Sequence, residues 1–488
     1  FAIEMLSIWI AAEDMDPELM RMEPSLLNAD SPFVALHHEV VDWVAARRQS
    51  IDFDDSHLQV MFDQCKALII GLQKRGAIVG SSLNTAYLLE RLSQTLERLK
   101  TLMAIFVSNR YLPRRILLLT GCFARAAAER HSISRLWKQS SGLIARSVTQ
   151  NAGDHGEHYI TRDKKEYWAM FYSAAGGGVL IALMALFKTY LGSIIDDKVW
   201  KGIAEGLNYG LGFMVIFMLH FTVATKQPAM TAARFAEAVE KTPQGKTVNM
   251  KLAQLLVDVF RSQSIAVLGN VLIAMGLAAL IAFGYQYKTG EPLMNADQIA
   301  YQLHSIDPFA GTLWFAAIAG VWLFCSGIIS GYFDNRSNYL NMRMRLTQHP
   351  LLKKLMSEKT RVKFANYMHE NYGSLIGNLC FGMLLGITGV VGYLTHLPLD
   401  IRHVAFSSAN VGYIAVSGQF TYSLLLQCIG FVLLIGLVNL IVSFSLTLWV
   451  ALRSLNAEID SWWPIWHEVC QIVKKRPLSL FLPVQLDK

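Results

Sequence analysis

Apolar and polar positions along this chain change their rhythm near Trp168. Before it, hydrophobic residues recur every three or four positions with charged residues between them, as on half-buried helices. Leu58 to Leu72 and Leu83 to Phe106 follow this rule. In the second run, Leu88, Leu92, Leu96, Leu99 and Met103 make one stripe, with Glu90, Arg91, Glu97 and Arg98 off it. A further helical run starts at Pro113 and includes Ile116 to Ala128. The pattern predicts a soluble helical domain over residues 1–165, joined by a polar linker at Asn151 to Gly156. Phe stands first where a start codon would give Met, which predicts that this domain begins further upstream.

After Trp168 the rhythm gives way to apolar runs, each long enough for a helix to cross about 30 Å of hydrocarbon. Six are predicted: Trp168 to Phe187, Leu207 to Thr225, Ile265 to Tyr285, Phe309 to Tyr332, Leu375 to Leu394 and Tyr422 to Leu452. The first contains Gly176, Gly177 and Gly178, which weaken a helix and so point to tight packing or a local break. The second carries no formal charge and is followed by a membrane-boundary motif, Lys226, Gln227 and Pro228. Lys226 can snorkel to the head groups, and Pro228 disfavours helix at Gln227. The fourth ends in Gly327-Ile-Ile-Ser-Gly331. In the fifth, Gly382, Gly386 and Gly389 are spaced to share one helix face, a stripe on which another helix can pack. Leu at Gly386 is expected to part the two helices, and Ala to be tolerated better.

Residues 404–416 (VAFSSANVGYIAV) are apolar but too short to cross as a helix. They predict a re-entrant or interfacial segment on the external side, or a cap on the helix ends. The fold class is therefore all-α: a polytopic helical membrane protein with an N-terminal cytosolic helical domain, a six-span bundle over 166–455 and an interfacial or cytosolic tail over 456–488.

Charge adds orientation. The segment after the second run holds Lys226, Arg234, Lys241, Lys246, Lys251 and Arg261, and the one after the fourth holds Arg336, Arg343, Arg345 and several lysines. The intervening loops carry few positive charges, so the positive-inside rule puts both termini in the cytoplasm. The composition, 53% hydrophobic and 17% charged, excludes an ordinary soluble domain. The net charge of +7 then belongs to cytoplasmic loops before it suggests nucleic acid. Arg110, Arg114, Arg115, Arg125, Arg130, Arg135, Lys138 and Arg146 make the end of the first domain basic. Few aromatic residues are interleaved for base stacking, which disfavours nucleic acid against a solvated face near the membrane.

Polar side chains inside apolar runs are the candidate intramembrane site: Asn208, His220, Asn270, Asn378, Asn410 and Gln427, with Asn439 beside them. They serve a ligand or bond neighbouring helices. The six cysteines form no CxxC pair, and His37, His38 and Glu39 point to different faces of a helix, so no metal site and no cofactor is predicted.

Four stretches carry a resemblance: HYITRDKKEYWAMFYSAAGGG (158–178), LNYGLGFMVIFMLHFTVATKQPAMTA (207–232), GYFDNR (331–336) and DIRHVAFSSANVG (400–412). They resemble a bacterial membrane-protein family named site-specific recombinase, of the Gcr type. The resemblance implies an inner-membrane protein of a Gram-negative bacterium, and the family's name implies DNA strand exchange. That chemistry needs an activated Tyr or Ser with arginines clamping a phosphate. The nearest local match, His131 to Arg135 (HSISR), has the wrong spacing, and no catalytic residue is assigned.

Three functions stay open. The first is a non-catalytic bundle that handles a small molecule, an ion or a lipid, and an enclosed polar cavity would favour it. The second is a membrane scaffold that binds a protein partner through its cytosolic helices, which an exposed apolar groove would favour. The third is DNA recombination, which needs a basic face with a convergent phosphate site.

Overall fold

Short polar side chains and prolines mark where the helices begin. Asp16 and Ser31 each accept a backbone N–H at a helix start whose next residue is proline. Asp163 and Asp197 cap the two helices that open the apolar half in the same way. The computed structural model describes residues 1–27, 31–49, 51, 53–106, 112–129, 160–161, 163–224, 238–239, 246–417, 421–454, 459 and 461–483. Among them every regular element is a helix, and the protein is all-α and polytopic. The expected linker at 151–156, the boundary motif at 226–228 and the HSISR match lie outside the described residues.

The chain divides into two compact units, Phe1–Ser147 with Asn335–His369, and Val148–Asp334 with Glu370–Lys488. The first holds α1 (Ala2–Glu13), α2 (Pro17–Met22), α3 (Pro32–Arg48), α4 (Ser56–Val79), α5 (Leu83–Phe106) and α6 (Leu112–Glu129). Its core joins Ile10, Phe33, Leu36, Val40, Trp43, Phe62 and Ile69 to the stripe of α5. That stripe is Leu92, Leu96, Leu99 and Met103; Leu89 is buried where the spacing pointed to Leu88, and it packs in a second cluster with Leu19, Met22 and Leu72. Asp14, one residue past α1, is buried, and its Oδ1 has no hydrogen-bond partner among the described residues. Burial pushes its carboxyl above the usual range, against a smaller opposing effect of the Ser31 hydroxyl.

The second unit begins with α7 (Lys164–Ile194), α8 (Lys198–Met218), α9 (Lys246–Thr289) and the short α10 (Ala296–Ile306). Next come α11 (Thr312–Tyr339), α12 (Met342–Gln348), α13 (Pro350–Leu355) and α14 (Glu358–Thr395). The unit boundary falls within α11 and α14, and α12 and α13 belong to the first unit. The chain ends with α15 (Val404–Ala415), α16 (Tyr422–Ser454) and α17 (Trp463–Lys475). Among the described residues five helices, α7, α9, α11, α14 and α16, are long and apolar enough to cross a membrane. The protein is a membrane protein on that ground.

The second predicted span is corrected. Its helix runs Lys198–Met218, nine residues upstream of the apolar run, and does not reach Thr225. The stop is a backbone device. His220 takes a left-handed conformation (φ 58°), its N–H bonds Phe217 O, and the N–H of Phe221 bonds Ile216 O. This pair of bonds closes a helix end as a Schellman motif does. Phe221 then lies across Gly176, where a Cβ would overlap its ring, and Thr222 N–H donates to Ser173 O at 3.2 Å. The triple glycine of α7 is explained by this close approach: Cβ atoms at Gly177 and Gly178 would collide with Thr222 and with the backbone of α9.

Residues 404–415 form α15, and ten of its twelve residues are buried. It packs on α7, α9, α10 and α16. Gly412 lets it approach the backbone of α9 at Met275, and Tyr413 donates from Oη to Ala182 O of α7 at 2.7 Å. Protein therefore surrounds it on nearly all sides, the condition under which a short segment can sit at membrane depth.

Candidate functional site

The turn between α7 and α8 begins the site. Asp197 accepts from Val199 N and Trp200 N at 2.9 and 2.8 Å and sends the chain back along α7. Lys201, Glu205 and Tyr209 follow at four-residue spacing, on one face of α8. Lys188 of α7 meets that face: its Nζ is 3.4 Å from Glu205 Oε2 and 5.6 Å from the centre of the Tyr209 ring.

Opposite stands α10, started by a capping box in which Asn295 accepts from Gln298 N and Gln298 accepts from Asn295 N. The loop before α15 supplies the third wall. There Arg402 bonds Asp400 Oδ2 at 2.6 Å, Ser305 O at 2.8 Å and Ile401 O at 2.7 Å, and its backbone N–H bonds Phe315 O. Asn439 of α16 anchors this wall, donating to Ala316 O and Arg402 O and accepting from Val404 N.

These walls line a half-open cavity of about 480 Å³. From α7 and α8 it is lined by Lys188, Thr189, Gly192, Lys201, Glu205 and Tyr209. From α10 and the residues before it come Met294, Asn295, Asp297, Gln298, Tyr301, Gln302 and Ser305. The loop and α15 give Asp400 to His403, Phe406, Ser407 and Asn410. Three positive and three negative side chains face one space: Lys188, Lys201 and Arg402 against Glu205, Asp297 and Asp400. An apolar floor lies behind them, where Phe406 packs on Tyr209 and Phe213, with ring centres 4.5 and 5.9 Å apart.

Of the residues singled out by sequence, Asn410 lines this cavity. The others are dispersed. Asn208 donates to Met184 O of α7 at 2.9 Å, and Asn378 to Ser374 O one turn back in its own helix. Asn270 accepts from Ala224 N at 2.7 Å and donates to Thr222 O and Ala174 O, so it ties down the non-helical stretch after α8. His220 and Gln427 are exposed. The charged lining was missed because those residues flank the apolar runs and counted only as loop charge. The Lys201–Glu205–Tyr209 spacing was the available signal.

A family model described as site-specific recombinase matches residues 1–483. The chain belongs to that family. No curated protein and no solved structure matches it. In this recombinase-family chain, the run Asp400 to Gly412 that carries the family likeness supplies one wall of the cavity. The GYFDNR run is structural. Asp334 Oδ1 accepts from Gly373 N at 2.9 Å, and Asn335 pairs with both backbone groups of Ser81 at 3.0 and 2.8 Å. His37 bonds Ser7 Oγ at 3.0 Å, and no three metal-ligating side chains converge among the described residues.

Proposed function

We propose that this protein is a non-catalytic inner-membrane protein whose helix bundle holds a small polar molecule, an ion or a lipid head group. The observation that carries this reading is the charged cavity between α7, α8, α10 and α15. Its volume falls in the range of small-molecule sites, and convergent polar groups over an aromatic floor are what such sites use to orient a ligand. Six charged side chains of both signs around one space, several of them still reached by solvent, offer ionic contacts to a polar ligand.

The cavity is tested by filling it. Asn410→Trp, with folding checked by its melting temperature in detergent, should deplete ligand or lipid that co-purifies with the parent, read by native mass spectrometry. An unchanged bound population would sink the reading. The recombinase name has its own test, incubation of the purified protein with duplex DNA. No covalent protein–DNA adduct is expected, since no nucleophile with an activating set is assigned; a trapped phosphotyrosine or phosphoserine link would replace this function with strand exchange.

A further inference from the structure

Of the six charges that line the cavity, four satisfy one another. Lys188 pairs with Glu205 and sits over Tyr209. Arg402 pairs with Asp400 and spends further donors on the carbonyls of Ser305 and Ile401. Asp400 accepts a second bond from Ile401 N. Among the described residues, the two lining charges left with no ion pair and no side-chain hydrogen bond are Lys201 and Asp297. They have opposite sign and come from different walls, α8 and α10. Gly192 leaves room for the Lys201 ammonium, since a Cβ there would lie 3.1 Å from its Nζ. Asp297 is exposed in the first turn of α10, where the helix dipole suits a carboxylate, and from there it lines the cavity.

We infer that the ligand is a zwitterion, with an anionic oxygen group taken by Lys201 and an ammonium group taken by Asp297. The inference rests on the reading of the cavity as a binding site. A simple anion would leave Asp297 facing a like charge, and a simple cation would leave Lys201 so, which costs affinity in a partly enclosed site. A zwitterion meets both without adding net charge to a balanced lining. Gln298, Gln302 and Asn410 supply neutral donors and acceptors between the two ends. Two sources share this chemistry: the head group of phosphatidylethanolamine, and a free molecule such as glycerophosphoethanolamine.

The experiment compares the full chain with Lys201→Gln and Asp297→Asn, reconstituted in nanodiscs. Probes are phosphatidylethanolamine, phosphatidylglycerol and soluble glycerophosphoethanolamine, and bound probe is counted by native mass spectrometry. Each neutralising variant should lose roughly tenfold or more in affinity for the ethanolamine probes, the scale of one charge-assisted hydrogen bond. Lys201→Arg and Asp297→Glu should retain binding, which separates lost recognition from lost folding. Binding of the lipid alone supports the proposal with the membrane as source, and binding of the soluble probe supports it with a free ligand. If phosphatidylglycerol binds as well as the ethanolamine lipid and Asp297→Asn is silent, the site takes anions and the zwitterion is overturned. If Lys201→Gln is silent while Asp297→Asn abolishes binding, it takes cations, with the same result. In both cases the cavity reading survives. That reading fails separately, if Asn410→Trp leaves every bound species in place.

Discussion

Gly386 of α14 rests directly on Gly206 of α8. A Cβ built on Gly386 would overlap the Cα and N atoms of Gly206, and one built on Gly382 would overlap the backbone at Gly210. Two glycines one turn apart on each helix thus face two on the other, and the backbones close to a distance that no side chain allows. The atoms in the way are backbone and cannot swing aside. Gly386→Ala should therefore destabilise the bundle by roughly 1–3 kcal/mol, as overpacking does, and Gly386→Leu by more. Ala is still expected to be tolerated better than Leu, but the backbone contact makes it costly as well. Gly389 has nothing within 4 Å of its built Cβ, so Gly389→Ala should be neutral or gain up to about 1 kcal/mol in helix propensity. Thermal aggregation in detergent ranks the three variants. Equal melting of Gly386→Ala and Gly389→Ala would refute the contact.

Asn335 gives a second test, in the first unit. Its side chain accepts from Ser81 N at 3.0 Å and donates to Ser81 O at 2.8 Å, imitating a backbone partner for a residue that is 8% exposed. Beside it, Gly80 has φ 80°, and a Cβ there would run into the backbone of Tyr339. Asn335→Ala strands two buried backbone groups and should cost roughly 2–4 kcal/mol. Gly80→Ala adds overlap to an unfavourable φ and should cost at least as much. Limited proteolysis of the parent and both variants reads the outcome, which is faster cleavage within residues 1–106 for each variant. Parent-like cleavage of both would show that this join does not stabilise the unit.

The fold class was legible because it depends on the period and length of apolar runs, which Leu92, Leu96 and Leu99 or the span at 422–454 display in sequence. Other features depended on backbone geometry and tertiary contact. Nothing local announces that His220 takes the left-handed conformation that ends α8, because many residue types compete for that position. The glycine stripe of α14 showed its face but not its partner, so Gly389 looked equivalent to Gly386. The cavity was least visible. Its charges come from four segments spread between Lys188 and Arg402, and each alone resembles a solvated loop charge.

Asn270 should behave as a structural residue. It is fully buried and bonds both the N–H of Ala224 and the C=O of Thr222, backbone groups that no helix satisfies. In an apolar interior such groups have no water to turn to. Asn270→Leu should destabilise the protein by about 2–6 kcal/mol, counting roughly 1–3 kcal/mol for each stranded group. Asn270→Ala should do about the same, because the loss is in hydrogen bonds and not in packing. Melting in detergent, with ligand binding measured below the transition, checks this. Loss of binding without loss of stability would make Asn270 part of a site.

Asp14 sets a pH dependence in the first unit. Its folded carboxyl titrates above the unfolded value near about 3.9. Between the two values the folded state holds a proton that the unfolded state has lost, so stability falls as pH rises through that window and then levels off. Asp14→Asn should leave stability at pH 3.5 nearly unchanged and raise it at pH 7, on the order of 1 kcal/mol for one buried group relieved of charge. Urea unfolding of the full chain, followed through Trp fluorescence at both pH values, checks the sign. Greater stabilisation at the lower pH would reverse the argument.

The number of crossings decides on which side the termini lie, and α8 decides the number. Five helices qualify by length and composition, and α8 falls outside that set because Lys201, Glu205 and Asn208 interrupt its first half. Its neighbours are what a sixth crossing predicts. Lys201 Nζ lies over Gly192 of α7, and Thr222 N bonds Ser173 O at the other end. The two segments therefore run antiparallel over the same stretch of α7, about 28 Å at 1.5 Å per residue, close to the hydrocarbon thickness. If α8 crosses with the five, six crossings are expected, with both termini on one side. Two native cysteines report this directly, since Cys122 of α6 and Cys470 of α17 are both exposed. In spheroplasts a membrane-impermeant maleimide should leave both unlabelled, with Gln348→Cys, and should label Glu291→Cys, in the loop between α9 and α10. If Cys122 and Cys470 fall on opposite sides, α8 does not cross. If both label and Glu291→Cys does not, the orientation drawn from loop charge is inverted, and the cavity opens on the cytoplasm.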